Sequence, residues 1–197
     1  MEIVGLTGSI AMGKSTVARL IGRARIPVHD ADACVHRLFA RGGAAVAPVG
    51  RAFPGVIRDG SVDRNRLGSL VIGDAGRLRQ LEAIVHPLVR ADRDRFLARH
   101  RRRRSRLVVL DVPLLFESGG DAVCDTVLVV TAPAYLQRQR VLARPGMTAQ
   151  RLADILRRQM PDRAKRRRAD VVIHSGLGLA ATSRELARWL AGRRRRP

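Results

Sequence analysis

The sequence is short of several things, and each shortage excludes something. Its only cysteines, Cys34 and Cys124, lie far apart and form no C-x-x-C pair, so no disulfide framework is expected. No apolar run approaches the ~18 residues a membrane-spanning helix needs. The opening Met1-Glu2-Ile3-Val4-Gly5 lacks the basic start and apolar stretch of a secretion signal. A cytoplasmic protein with no membrane partner is the expectation. The five histidines show no metal-ligand spacing. Aromatics number only six, which removes the stacking platforms of single-strand nucleic-acid binders. Lysine is nearly missing: Lys14 and Lys165 stand against 36 arginines.

Positive charge, by contrast, is abundant. The net charge is +21, carried partly by the runs Arg101–Arg104, Lys165–Arg168 and Arg193–Arg196. These runs are scattered and carry no interleaved aromatics, so they read as solvated faces, with no specific nucleic-acid partner. A length of 197 residues with 46% hydrophobic content suits one α/β domain with helical insertions.

The pattern along the chain places the motifs. Glu2–Thr7 reads as a buried strand, Lys14–Arg23 as a helix, and Pro27–His29 as a brief second strand closed by Asp30-Ala31-Asp32. From Ala33 to about Arg104 the pattern is mostly helical, broken by Gly and Pro around positions 42–60. Leu107–Val112, apolar but for Asp111, and Thr126–Thr131, apolar between its threonines, read as central strands of a parallel sheet. Helical patterns follow at Tyr135–Arg144 and Thr148–Gln159, then a short strand Val171–Ile173 and a closing helix Ala180–Ala191. Strands alternating with helices imply a parallel α/β sheet that binds ligands at the carboxyl ends of its strands.

The strongest motif is Gly8-Ser9-Ile10-Ala11-Met12-Gly13-Lys14-Ser15-Thr16, which matches G-x-x-x-x-G-K-[ST] between a strand and a helix. Glycines let the backbone curl until successive N–H groups line one concavity for phosphate oxygens. The helix beginning near Lys14 adds its positive end. Lys14 is placed to reach the β- and γ-phosphates of ATP, and Ser15 to give its hydroxyl to Mg²⁺. In a chain where arginine has displaced lysine, a lysine at this position is what a compact ammonium between two phosphates requires.

Phosphoryl transfer also needs an oriented nucleophile and positive charge on the migrating group. Asp32, just after the second strand, is favoured over Asp30 as the base, although either can cap the next helix. Asp111 ends an apolar strand and is expected to orient Mg²⁺, directly or through water. Arg140 and Arg144 lie four apart and are expected on one helical face, with Pro145-Gly146 beyond them, as in a lid that delivers arginines. His86-Pro87 reads as the end of an apolar helix.

Taken in order, these pieces resemble the dephospho-coenzyme A kinase family nearly end to end. Val28-His29-Asp30-Ala31-Asp32, Asp59-Gly60-Ser61-Val62-Asp63-Arg64 with Leu67, Ile84-Val85-His86-Pro87 and Asp111–Glu117 ("DVPLLFE") each match a family motif. So do Gln137-Arg138-Gln139-Arg140 with Arg144, and Gln159-Met160 with Lys165, Ala169-Asp170 and Ile173. The resemblance implies a P-loop fold with a five-stranded parallel sheet, flanking helices, a helical acceptor insertion and a lid. It implies transfer of the ATP γ-phosphoryl group to the ribose 3′-hydroxyl of dephospho-coenzyme A, the last step in making coenzyme A. Asp32 becomes the base, Gly8, Ala11, Met12, Gly13, Lys14, Ser15 and Thr16 the ATP cradle, and Arg140 and Arg144 the charge stabilisers. Asp32, His86 and Leu115 would hold the acceptor, and Ser15 and Asp111 the metal.

The expected division is one domain with a core of residues 1–32, 105–140 and 170–191, a helical substrate region 33–104 and a lid at about 141–169, acting as a monomer. Three departures from the family pattern stand out. Ala11-Met12 replaces Gly-Ser, which the cradle tolerates if those positions need no positive φ. Pro145 stands where an acid is common, and Ser175 where Asn is usual. The rival readings are another P-loop kinase of the nucleoside monophosphate type and a basic nucleic-acid-binding protein.

Overall fold

Six residues with an almost unbroken apolar face start the chain in a strand, and a glycine-rich loop then turns it into a helix. The computed structural model describes residues 1–194, so Arg195 and Arg196 of the last arginine run lie outside the described residues. The elements run β1 (Glu2–Thr7), α1 (Lys14–Arg23), β2 (Val28–Asp30), α2 (Ala31–Phe39), α3 (Val46–Ala52), β3 (Ile57–Arg58), β4 (Ser61–Val62), α4 (Arg64–Val71) and α5 (Ala75–Arg102). They continue with β5 (Leu107–Asp111), a 3₁₀ turn (Gly120–Val123), β6 (Thr126–Thr131), α6 (Ala134–Leu142), α7 (Ala149–Arg158), α8 (Asp162–Arg168), β7 (Val171–His174) and α9 (Leu179–Arg194). The main sheet has five strands in the order β2-β5-β1-β6-β7. β1 runs parallel to both β5 and β6, and β6 parallel to β7. The expected five-stranded parallel sheet flanked by helices is what the chain forms.

The chain divides into two compact units, Met1–Val28 with Ser105 onward, and His29–Arg104. In the first, β6 is buried at every position and its alternate side chains fill two different cores. Leu128 and Val130 join Val4, Leu6, Val109 and Ile173 under Val17 and Ile21 of α1 and Leu186 of α9. Val127 and Val129 pack with Leu115 and Phe116 on the other side. A sheet covered on both faces explains why its strands read as continuous apolar runs rather than alternating ones. Each fully buried Leu or Ile there contributes roughly 1.5–3 kcal/mol.

In the second unit, Cys34, Leu38, Phe39, Val49, Phe53, Val56, Leu67, Val71 and Val85 form the core. Two features depart from the sequence reading. The mostly helical stretch contains a β3–β4 hairpin, with Ile57 opposite Val62 and Arg58 opposite Ser61. Its two-residue turn, Asp59-Gly60, has φ of 47° and 74°, the paired positive values of a type I′ turn. The second departure is His86-Pro87, which does not end a helix: both residues lie inside the 28-residue α5. A proline there removes one backbone hydrogen bond. Packing on either side, by Leu81, Ile84 and Val85 and then by Leu88 and Val89, carries the helix through.

Candidate active site

The loop between β1 and α1 owes its shape to close approaches and positive dihedrals. Gly8 has room for no side chain, since a Cβ would lie 2.6 Å from the Val130 carbonyl oxygen. Gly13 has φ of 92°, and a Cβ there would meet Ser175 Oγ at 2.7 Å. Ala11 also has positive φ, 58°. The sequence reading let the Ala-Met replacement stand on the condition that no positive φ was needed. At position 11 that condition fails, and an L-residue held there costs about 1–2 kcal/mol. Met12 turns its side chain inward: it is 3% exposed, with Sδ 3.1 Å from the Ala132 amide that donates to it. Only its backbone is left to face a ligand.

Side chains from later in the chain brace the loop. Gln137 Nε2 donates to the Ile10 carbonyl at 2.9 Å, and the Ile10 amide donates to Gln159 Oε1 at 3.1 Å. Ser175 Oγ donates to the Met12 carbonyl at 2.7 Å. Arg140 Nη1 donates to the Ala11 carbonyl at 3.3 Å and to Ser175 Oγ at 3.1 Å, while its Nη2 donates to the Ser175 carbonyl at 2.9 Å. Arg140 is thus fixed against the loop itself. Arg144 is not beside it on the helix: α6 ends at Leu142, and Arg144 is exposed beyond it. Pro145 disfavours helical backbone at the residue before it, and Gly146 turns away with φ of 72°. The expected shared helical face is therefore not formed.

The amide-rich start of α1 carries Lys14, whose Nζ lies 2.5 Å from Asp111 Oδ1 at the end of β5. Strand register brings them together, because Asp111 sits opposite Leu6 near the end of β1. Ser15 is exposed at the helix start, and Thr16 Oγ1 accepts from Arg19 at 3.4 Å. Leu115 is 0% exposed and packs under Gly5, where a Cβ would lie 2.6 Å from its Cδ2. Its side chain belongs to the core and presents nothing to a ligand.

Composition also misjudged Lys165, which lies in a run read as a solvated face. The arginines of that run are exposed, but Lys165 is fully buried. It pairs with Glu117 Oε1 at 2.9 Å and donates to the Pro113 carbonyl at 3.4 Å. Glu117 Oε1 also accepts the Met160 amide at 2.7 Å. Burial pushes the Glu117 carboxyl up, but the Lys165 and Met160 hydrogen bonds outweigh it and hold the carboxyl below its ordinary range. The "PLLFE" turn after β5 is thereby stapled to α8. Residue chemistry alone does not single Lys165 out; its signals are the scarcity of lysine and its place in a family motif. Gln137 and Gln159, like Lys165, were visible as members of family motifs.

In the second unit, Asp30 and Asp32 take different parts. Asp30 is the N-cap of α2, accepting the Ala33 amide at 2.9 Å. Asp32 lies in the first turn, exposed, and among the described residues its carboxylate forms no hydrogen bond or ion pair. The competition between the two is settled for the cap and leaves Asp32 available for chemistry. His86 is exposed on α5. No helix of the described residues is long and apolar enough to cross a membrane.

Comparison with known proteins agrees with this geometry. The family model described as dephospho-CoA kinase matches residues 2–180. A dephospho-CoA kinase of Paramagnetospirillum magneticum is 67% identical over 166 residues, covering 84% of this chain and 78% of its own. One from Mesorhizobium japonicum is 58% identical, covering 94% of this chain and 93% of its own. Among solved structures, a Thermus thermophilus protein superposes with a TM-score of 0.85 at 37% identity, over 97% of this chain and 96% of that one. With a matched model across the sheet, the loop and the helical unit, the chain belongs to the dephospho-CoA kinase family.

Proposed function

We propose that the chain transfers the γ-phosphoryl group of ATP to the ribose 3′-hydroxyl of dephospho-coenzyme A, giving coenzyme A and ADP. The observation that carries this reading is the braced loop Gly8–Gly13 running into α1, with Lys14 at its mouth. Its backbone N–H groups and the helix dipole offer fixed positive charge to the β- and γ-phosphates. Lys14 adds a mobile ammonium that follows charge onto the bridging and γ-oxygens as the bond to the leaving ADP lengthens. Arg140 supplies a second cation from α6, and Arg144, in the exposed segment after α6, a third. Asp32 accepts the proton of the attacking 3′-hydroxyl, which then carries its electron pair to phosphorus. His86 helps to hold the acceptor.

The donor set also fits Mg²⁺. Ser15 offers a hydroxyl and Asp111 a carboxylate, and hard oxygen ligands of this kind suit that ion. Bound there, the ion would neutralise phosphate charge. The residues 141–169 act as a lid over the phosphates, and the protein works as a cytoplasmic monomer.

The test is ADP release with ATP and Mg²⁺ against a panel of acceptors: dephospho-coenzyme A, AMP, other nucleoside monophosphates, and water alone. Turnover confined to dephospho-coenzyme A is expected. Preferential use of a nucleoside monophosphate would replace this reading by its nearest rival.

A further inference from the structure

Asp92 lies on α5, away from every motif of the family pattern, yet it gathers more side-chain contacts than any carboxylate of its unit. Its Oδ2 pairs with His29 Nε2 at 3.0 Å and accepts from Arg37 Nη2 at 3.1 Å, and its Oδ1 accepts from Arg95 Nη2 at 3.4 Å. Cys34 Sγ stands within 4.8 Å of the same carboxylate. The two inner partners flank one short segment: His29 immediately precedes Asp30-Ala31-Asp32, and Cys34 stands two residues after it.

We infer that Asp92 is a positioning residue, which fixes the β2–α2 junction so that Asp32 points in one direction. This rests on the reading of Asp32 as the base. Asp32 needs such help, because no side chain of the described residues holds its carboxylate and only the backbone beneath it can set its aim. His29 is 6% exposed, its Nδ1 has no partner among the described residues, and its ring leans on Phe96 at 5.4 Å between centroids. The Asp92 contact is therefore the one hydrogen bond that orients this ring. Asp92, Phe96 and His100 recur every four residues, so one face of α5 forms the whole abutment. Burial opposes ionisation of Asp92, but the neighbouring Cys34 thiol and the hydrogen bonds from His29 and Arg95 hold its carboxyl at about 2, so the clamp is charged at neutral pH. Burial, followed by the nearby Asp92 carboxylate, pushes the Cys34 thiol up to about 11, which keeps it protonated rather than a reactive thiolate. His29, Cys34 and Asp92 also stand close enough to share a metal ion. The two guanidinium groups on the same carboxylate make these the surroundings of an anion instead.

A misplacement of the base by about 1 Å is enough to cost on the order of 10²-fold in turnover. The experiment is a double-mutant cycle in kcat over wild type, Asp92→Ala, Asp32→Asn and the double variant, with KM for ATP and thermal midpoint recorded for each. Asp92→Ala should lower kcat by roughly 10- to 100-fold with KM for ATP unchanged, and should cost less than about 2-fold when Asp32 is already Asn. Should Asp92→Ala fail to fold, Asp92→Asn, which keeps the volume and one acceptor oxygen, takes its place in the cycle. Equal fold losses in both backgrounds would make Asp92 a general scaffold residue and overturn the proposal. So would one equivalent of zinc in the purified protein that Asp92→Ala removes. Wild-type kcat in Asp32→Asn would instead remove the base assignment itself, a result that the cycle separates from failure of the clamp.

Discussion

Lys14 Nζ and Asp111 Oδ1 lie 2.5 Å apart, with only 15% and 6% of their side chains exposed. The loop's ammonium is thus held by the carboxylate that ends β5, across the floor on which phosphates would sit. If ATP binds as proposed, its phosphates would compete with Asp111 for Lys14.

Replacing Lys14 with Ala should therefore lower kcat by at least ~10³-fold while the circular dichroism spectrum stays native, if its charge acts on the transferring group as proposed. Coupled ADP release measures it. A variant within tenfold of wild type would take Lys14 out of the mechanism.

Asp32→Asn should reduce kcat by about 10²-fold or more and shift KM for ATP by less than about threefold, the signature of lost proton removal. Initial rates over a grid of both substrates separate the two constants. A change confined to KM would make Asp32 a binding group.

Ala11 has φ of 58°, a conformation that glycine adopts freely. Ala11→Gly should raise stability by about 1 kcal/mol, net of the greater freedom it gives the unfolded chain. In calorimetry that corresponds to a midpoint roughly 2–4 °C higher. A lower midpoint would mean that the methyl group contributes packing worth more than the strain.

Ser175 Oγ both donates to the Met12 carbonyl and receives Arg140. Ser175→Ala removes the first contact and half of the second, leaving Arg140 its bond to the Ser175 carbonyl. KM for ATP should rise about 3- to 10-fold, the equivalent of about one hydrogen bond. Unchanged KM for ATP would show that the loop keeps its shape without this brace.

Lys165→Ala leaves the Glu117 carboxylate, 19% exposed, without its cation and should destabilise the protein by about 2–3 kcal/mol, toward the low end for a broken buried pair. Glu117 has its carboxyl held below the ordinary 4.5, so its ionised form stabilises the fold. That contribution is complete above about pH 5 and fades as pH falls through the lowered value. Denaturant melts of wild type and Glu117→Gln should differ most near neutral pH and converge in acid. A difference that stays constant across that range would assign the effect to shape rather than charge.

Some of this was open to inspection in the chain alone. The loop Gly8–Thr16 declared itself because its residue types are those a backbone nest demands, and Lys14 stood out against 36 arginines. The strands β5 and β6 were equally plain, since a strand covered on both faces must be apolar at every position. The hairpin at Asp59-Gly60 was also written locally, in a dipeptide that favours positive φ twice, but was read as a mere break. Other features had no local signature. The proline at position 87 argues for a helix end, and only the packing of Leu88 and Val89 overrules it. Lys165 sits among exposed arginines, and nothing in its neighbours announces that it alone turns inward to Glu117.

The sequence by itself determined the order of the elements, the phosphate loop and the candidates for base, metal ligand and cations, because these depend on residue types at fixed short spacings. The tertiary structure decided which of them have support. It assigned Asp30 to the cap and freed Asp32, pressed Arg140 and Ser175 against the loop, sent Arg144 past the end of its helix, and withdrew Leu115 into the core. Those outcomes rest on contacts between segments far apart in the chain, and no local propensity encodes a hydrogen bond between residues 140 and 11.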